Sequence, residues 1–244
     1  MNTPKIIGIT RIRNEENIIK NTLDHVSGLV DEIFVYDDAS TDRTVQICKD
    51  HPAVNHVIEG KTWDPNPHER NKAEGTLRQQ VFEYARDQTN AEWVYYFDAD
   101  EYAYFDNIDF TADCYYFRLF DFYITDEDKD QHYLQRKWIG PEFRDIPMLF
   151  KITPTLLFNQ RIPLNKGKSS FGGYVKHYGK AISVEEWDET CNYYINHRWN
   201  GGISPMLLER WKSRIGKSIH TVSDFNRPLI QWQERYDTAK IIKI

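Results

Sequence analysis

The chain has 244 residues, 40% apolar and 28% charged, and a net charge of −6. That balance belongs to a globular chain rather than a disordered one. Its acidity argues against a general nucleic-acid binder, which needs a basic surface.

"KIIGIT" (residues 5–10) is a short β-branched run and reads as a buried strand. Asn14 is placed to cap a helix, with Glu15 and Glu16 suiting its positive first turn. Ile18, Ile19, Leu23 and Val26 supply that helix's apolar face. "EIFVYD" (32–37) is a second strand, followed by a helix capped by Ser40 or Thr41 and carrying Val45, Ile47 and Cys48. "VNHVI" (54–58) is a weaker third strand, and "KTWDPNPHER" a proline-containing loop. Residues 75–87 read as a helix with Leu77, Val81, Phe82 and Ala85 on one side, and "EWVYYF" (92–97) as a fourth strand.

Strands and helices alternating over short connections imply right-handed βαβ units and a mainly parallel sheet. Ligands of such sheets bind beyond the carboxyl ends of the strands. Thr10, Asp37, Asp38, Asp98 and Asp100 all fall there, so three strands are expected to deliver polar groups to one edge.

The second half is less regular. "CYYFRLFDFYI" (114–124), "MLFKI" (148–152) and "TLLFN" (155–159) read as strands, with a polar loop over 125–144. Beyond Ser183 the pattern turns helical, and Ser204 with Pro205 makes a helix start. "INHRWNGGIS" (195–204) fits no pattern.

Cys48, Cys114 and Cys191 form neither a CxxC pair nor a zinc spacing, and so sparse a count fits a reducing compartment. The first apolar stretch is too short for a signal peptide. No run approaches the ~20 apolar residues of a membrane span. A soluble, cytoplasmic protein without a transmembrane segment is expected, with peripheral membrane contact left open.

In "YYFDADEY" (95–102) an aromatic run ends in Asp98, Asp100 and Glu101. Carboxylates are hard oxygen ligands suited to Mg²⁺ or Mn²⁺, and Mg²⁺ is commonly held by one or two of them plus substrate phosphates. A lone D-x-D is equally at home in a solvated turn.

Neighbouring motifs add to it. "TRIRNEENIIKNTLDHVSGLVDEIFVYDDASTDRTVQIC" (10–48) resembles the N-terminal signature of family 2 glycosyltransferases, which have the GT-A fold. That family shows an N-E helix start and a strand ending in D-D-x-S-x-D, matched here by Asn14-Glu15 and by residues 37–42. "EWVYYFDADEY" looks like its D-x-D strand, "EGTLRQQVFEYA" (74–85) like the preceding arginine-bearing helix, and "VKHYG" (175–179) like a late histidine motif of a subgroup. The motifs run in order over roughly residues 5–180.

The resemblance implies an α/β, GT-A-like (Rossmann-like) domain over 1–180, its mainly parallel sheet flanked by helices, with a helical C-terminal extension over 181–244. It implies transfer of a sugar from a nucleoside-diphosphate sugar to a glycan or other hydroxyl acceptor, with Mn²⁺ or Mg²⁺ and with inversion. Thr10, Arg13 and Glu15 would flank the base or ribose. Asp38 would bind the base, with Asp37 beside it, and Arg78 would meet the nucleotide or its diphosphate. Asp98 would hold the ribose or a metal-bound water, Asp100 the metal, and His177 would be a further metal ligand. Outside the resemblance, Asp42 reads as a helix first-turn acid, and Arg13, Arg78 and His177 as ordinary paired or solvated groups.

An inverting transfer needs a base to deprotonate the acceptor hydroxyl. In related enzymes an acid follows the "MLFK"-like strand, but "FNQRIPLNKGKSSFGGYV" (158–175) has none. Asp145 is the first candidate and Asp121 the second, ahead of Glu142, Asp126 and Glu185. A non-catalytic nucleotide-sugar or glycan-binding module is the competing reading.

Overall fold

The computed structural model describes residues 4–105, 108–198, 205–232 and 242–243. The chain divides into two compact units, one of Met1–Asp64, Asn71–Phe117 and Ile146–Tyr174, the other of Pro65–Arg70, Arg118–Asp145 and Val175–Ile244.

In the first unit β1 (Ile6–Ile12) lies between β2 (Glu32–Asp37) and β4 (Trp93–Tyr96), parallel to both, and β3 (Val54–Glu59) continues in parallel beyond β2. β8 (Glu142–Lys151) pairs antiparallel with β4 through Leu149–Lys151. The expected α/β class with a mainly parallel sheet is therefore borne out. β1, β2 and β4 are buried almost throughout, which is why they read as continuous apolar runs rather than alternating ones.

Three helices belong with these strands: α1 (Ile19–Val26), α2 (Thr44–Asp50) and α3 (Pro67–Gln88). Ile19, Leu23 and Val26 of α1 are fully buried, as their spacing requires. Val81, Phe82 and Ala85 of α3 join Ile7, Ile9, Phe34, Val94 and Phe150 in the core. α3 begins eight residues before the expected start at Gly75. Pro67 stands at its first position, where a missing N–H costs nothing, and the Asn66 side chain accepts from the backbone N–H of His68.

Three further expectations are corrected. Asn14 caps no helix; its φ of 53° is left-handed, and α1 starts only at Ile19. Neither Ser40 nor Thr41 caps α2, whose Thr44 N–H is instead held by the Asp42 carboxylate at 3.0 Å. "TLLFN" forms no strand; Leu156 and Phe158 turn into the core, and a single bridge links Leu157 to Leu164.

The sequence also hid two strands, β5 (Glu101–Phe105) and β9 (Ser169–His177), which pair with each other. β6 (Cys114–Tyr123) is where expected, and its later half belongs to the second unit with β7 (Trp138–Ile139).

In that second unit α4 (Trp187–Tyr193) and α5 (Pro205–Lys212) bring Trp187, Cys191 and Trp211 together in a small apolar cluster. The expected helical character of the C-terminal region holds for these segments. Ser204 and residues 199–203 of the unassigned "INHRWNGGIS" lie outside the described residues. All three cysteines are free and buried. Among the described residues no helix is long and apolar enough to cross a membrane.

Candidate functional site

Because β1, β2 and β4 are parallel, their carboxyl ends share an edge. Two acidic segments lie there, Asp37-Asp38 at the end of β2 and Asp98 to Glu101 after β4.

The first segment is fastened to the 13–16 turn by reciprocal bonds. The Asn14 N–H donates to Ser40 Oγ at 2.9 Å, and Asn14 Oδ1 accepts from the Thr41 N–H at 2.8 Å. The Glu15 N–H donates to Thr44 Oγ1, and the Glu16 N–H to the Asp42 carboxylate. Burial is the largest single influence on the Asp42 pKa and raises it, but the Thr44 hydroxyl and the Thr44 and Glu16 N–H groups outweigh it and lower the pKa. The N-E and D-D-x-S-x-D motifs thus hold one backbone shape between them, including the left-handed Ala39 at φ 56°. A non-glycine residue held there stores local strain.

Arg13 donates to the carbonyls of Asp38 and Ala39, and its guanidinium lies 4.4 Å from the Trp63 ring centroid. Both border a cavity of about 450 Å³, together with Asp37, Ser40, Gly60 and Lys61. Asp37 is 2% exposed. One of its oxygens accepts from the Ser40 N–H at 2.9 Å, while the other is buried with no hydrogen bond. Burial pushes its carboxyl pKa upward. Thr10 Oγ1, also buried, likewise lacks a partner. An uncompensated buried polar atom is costly in a folded chain.

Asp38 is equally buried, but its carboxylate takes Arg11 Nη2 at 2.8 Å. Arg11 lies 3.7 Å from Glu74, Glu74 3.3 Å from Arg78, and Arg78 3.8 Å from Asp98. The two acidic segments are therefore joined by a row of alternating charges. Sequence reading missed Arg11 and Glu74. Glu74 sits one helical turn before Arg78, a spacing that could have drawn attention to it.

Asp98 to Glu101 form a turn closed twice, by the Glu101 N–H to the Asp98 carbonyl and by the Asp98 N–H to the Glu101 carboxylate. Thr22 of α1 pins the turn by donating to the Ala99 carbonyl. Asp98 accepts from the Tyr96 hydroxyl at 2.6 Å and from Arg161, whose other Nη donates to Glu101 at 2.6 Å. Arg78 and Arg161 both approach the Tyr96 ring. Burial opposes the charge on each arginine. The surrounding carboxylates and Tyr96 outweigh it and drive both pKa values up, so both stay cationic. Arg161 went unnoticed in the sequence because its motifless loop carries no signal.

Among the described residues no group of three or more His, Cys, Asp or Glu side chains is gathered to hold a metal. The chemistry of the turn suits a hard divalent ion all the same. Asp98 and the half-buried Asp100 offer two carboxylates, leaving further positions for substrate phosphates.

The remaining candidates belong to the second unit. His177 Nδ1 meets Asp121 at 2.5 Å, and the same carboxylate holds Arg144 at 2.7 Å and Lys180 at 3.2 Å. Burial pushes the Asp121 pKa up, but these cations outweigh it and take it well below the usual range. So stabilised a carboxylate is a weak base. Asp145, half-buried, pairs with Arg118 at 3.4 Å. Glu142 binds Ser223, and Asp126 binds Lys129.

Residues 9–109 match the family model described as Glycosyl transferase family 2, so the resemblance read from the motifs is borne out over that stretch. Two uncharacterised proteins, of Mycobacterium bovis and Mycobacterium tuberculosis, are each 39% identical over 57 residues, which is 23% of this chain. The match spans only 14% of the length of these curated relatives. Among solved structures, S. aureus TarS 1–349 in complex with UDP aligns at 15% identity and a TM-score of 0.40, covering 85% of this chain and 69% of that one. Glucosyl-3-phosphoglycerate synthase from M. tuberculosis, in complex with Mn²⁺, UDP and glucosyl-3-phosphoglycerate, aligns at 25% identity and a TM-score of 0.28, covering 40% and 34%.

Proposed function

We propose that the protein is a glycosyltransferase that takes a sugar from a nucleoside-diphosphate sugar and passes it, with inversion, to a hydroxyl acceptor. The observation that carries this reading is the first unit's strand edge. A cavity with a buried, half-unsatisfied Asp37 lies at one acidic segment, and the charge row through Glu74 and Arg78 ends at the other, all within or beside the family-matched stretch.

Thr10, Arg13, Glu15, Asp37 and Asp38 would form the nucleoside end of the donor site. Asp38 would bind the base through a ring N–H, with Asp37 beside it. Arg78 would face the diphosphate, which spreads negative charge that a forked guanidinium suits. Asp98 and Asp100 would hold Mn²⁺ or Mg²⁺. When bound, such an ion neutralises charge developing on the leaving diphosphate.

Asp145 would take the proton from the acceptor hydroxyl, since Asp121 is held too firmly by cations to be an effective base. Residues 1–180 would carry the transfer chemistry and 181–244 serve the acceptor, whether a glycan or another hydroxyl compound.

The test is sugar release from a panel of nucleoside-diphosphate sugars, followed by chromatography, with Asp100→Ala as the paired variant. Release from one donor, lost in a folded Asp100→Ala protein, is expected. A folded wild-type chain that turns over none of them, yet binds the nucleotide, is a binding module instead.

A further inference from the structure

The Asp98 carboxylate is already engaged on both oxygens, one by the Tyr96 hydroxyl and the other by Arg161. Arg161 is not incidental there. It reaches Glu101 as well, its side chain is 24% exposed, and its guanidinium lies 5.5 Å from the Tyr96 ring centroid. Mg²⁺ coordinates a carboxylate oxygen at about 2.0–2.1 Å. It has no room on an oxygen that faces a guanidinium, and the two positive charges repel at that range.

The loop that carries Arg161 is built to present this one side chain. The Leu157–Leu164 bridge closes it at the base. The Phe158 N–H donates to Gln79 Oε1 at 2.7 Å, and Phe158 is buried in the core. Beyond Phe158, Asn159, Gln160 and Ile162 are exposed, whereas Arg161 turns inward. The segment is anchored by Phe158, by the Asn159 backbone against Gly75 and by the buried Pro163, and Arg161 reaches inward from between them.

We propose that Arg161 and a divalent cation are alternative partners of Asp98, and that the displaced guanidinium pairs with the donor's diphosphate. The proposal rests on the nucleotide-sugar reading above. Three features make the exchange workable. A guanidinium fork fits phosphate as well as carboxylate. Glu101 keeps the Asp98 N–H when Arg161 leaves, so the turn survives. Arg78 stays near Asp98 and Tyr96, so the region does not lose all its fixed positive charge. The arrangement also offsets the repulsion between the Asp98 and Glu101 carboxylates before a donor arrives.

The experiment is a titration with Mn²⁺ alone, free ion being counted by electron paramagnetic resonance, on wild type and Arg161→Gln. Arg161→Gln is expected to bind Mn²⁺ at least tenfold more tightly than wild type without nucleotide. Because it takes one cation away from the buried Glu101, Arg161→Gln/Glu101→Gln is measured in parallel as the variant that keeps the net charge unchanged. Equal Mn²⁺ affinity in wild type and whichever variants give a folded circular dichroism spectrum overturns the proposal, as does no Mn²⁺ binding by any of them. A second titration adds a nucleoside diphosphate. Wild type is expected to gain more Mn²⁺ affinity from it than Arg161→Gln does. If no nucleoside diphosphate binds wild type with Mn²⁺ present, the donor reading fails by itself, whatever the metal-only titration gives.

Discussion

Glu74→Gln is the most direct probe of the charge row. Glu74 is 16% exposed and lies 3.3 Å from Arg78 and 3.7 Å from Arg11. Its loss affects the two arginines unequally. Arg11 keeps Asp38 at 2.8 Å, whereas Arg78, with 5% of its side chain exposed, is left with Asp98 at 3.8 Å. A hydrogen bond to a charged group contributes about 1.5–3 kcal/mol, and because Arg78 keeps the Glu74 carbonyl at 3.3 Å and the Tyr96 ring, the loss sits in the lower part of that range. About 2 kcal/mol corresponds to roughly 4–8 °C in a chain of this size. Thermal unfolding followed by circular dichroism reads the shift. Glu83→Gln on the same helix, at an exposed position paired only with Gln79, is the control and is expected to move the midpoint by less than about 1 °C. A Glu74→Gln midpoint as close to wild type as the control's would refute the idea that Glu74 couples the two acidic segments.

Three other outcomes are expected. A Cβ at Gly75 would come 1.9 Å from the Asn159 carbonyl oxygen, so Gly75→Ala must force α3 and the 155–159 segment apart. It should cost about 1–3 kcal/mol or more, and an unchanged midpoint in thermal unfolding would contradict the contact. Asp37 has its pKa raised by burial, so its charged form weakens the fold as pH rises from the unfolded value of 3.8 through the folded one. Asp37→Asn should therefore unfold at a higher temperature than wild type at pH 7, with the advantage gone below pH 3.8, while nucleotide binding is lost. A lower midpoint at pH 7 would sink that reasoning. Asp121 has the opposite sign. The stability it contributes is fully present above pH 3.8 and fades as pH falls toward its lower folded pKa. Asp121→Asn should destabilise at pH 7 and progressively less in acid, and a pH-independent difference in a denaturant titration would count against the cation cluster.

The parallel sheet was legible because β1, β2 and β4 are buried on both faces, which leaves unbroken apolar runs. α3's early start was missed because His68, Glu69 and Arg70 carry no apolar stripe, and Pro67 read as a loop residue rather than a first helical one. β5 and β9 escaped for a different reason. β5 begins inside the acidic turn itself, and β9 opens with "SSFGG", which has weak strand propensity. The acidic members of the candidate site were visible as motifs, because strand ends and D-x-D spacing leave a local trace. Their partners Arg11, Glu74 and Arg161 were not. Arg161 reaches Asp98 across 63 positions of sequence, and no local pattern encodes a contact of that range. Asn14 shows the reverse failure, a correct motif with the wrong local role, since its side chain serves the 40–41 loop rather than a helix end.

The central claim is that the first unit's strand edge is a nucleoside-diphosphate site. A thermal-shift panel of UDP, GDP, dTDP and CMP, each with and without Mn²⁺, tests it most directly, since a ligand that binds only the folded state raises the midpoint in proportion to its occupancy. A clear rise is expected with one diphosphate, larger when Mn²⁺ is present, and none with CMP. No rise with any diphosphate, in either condition, would contradict it.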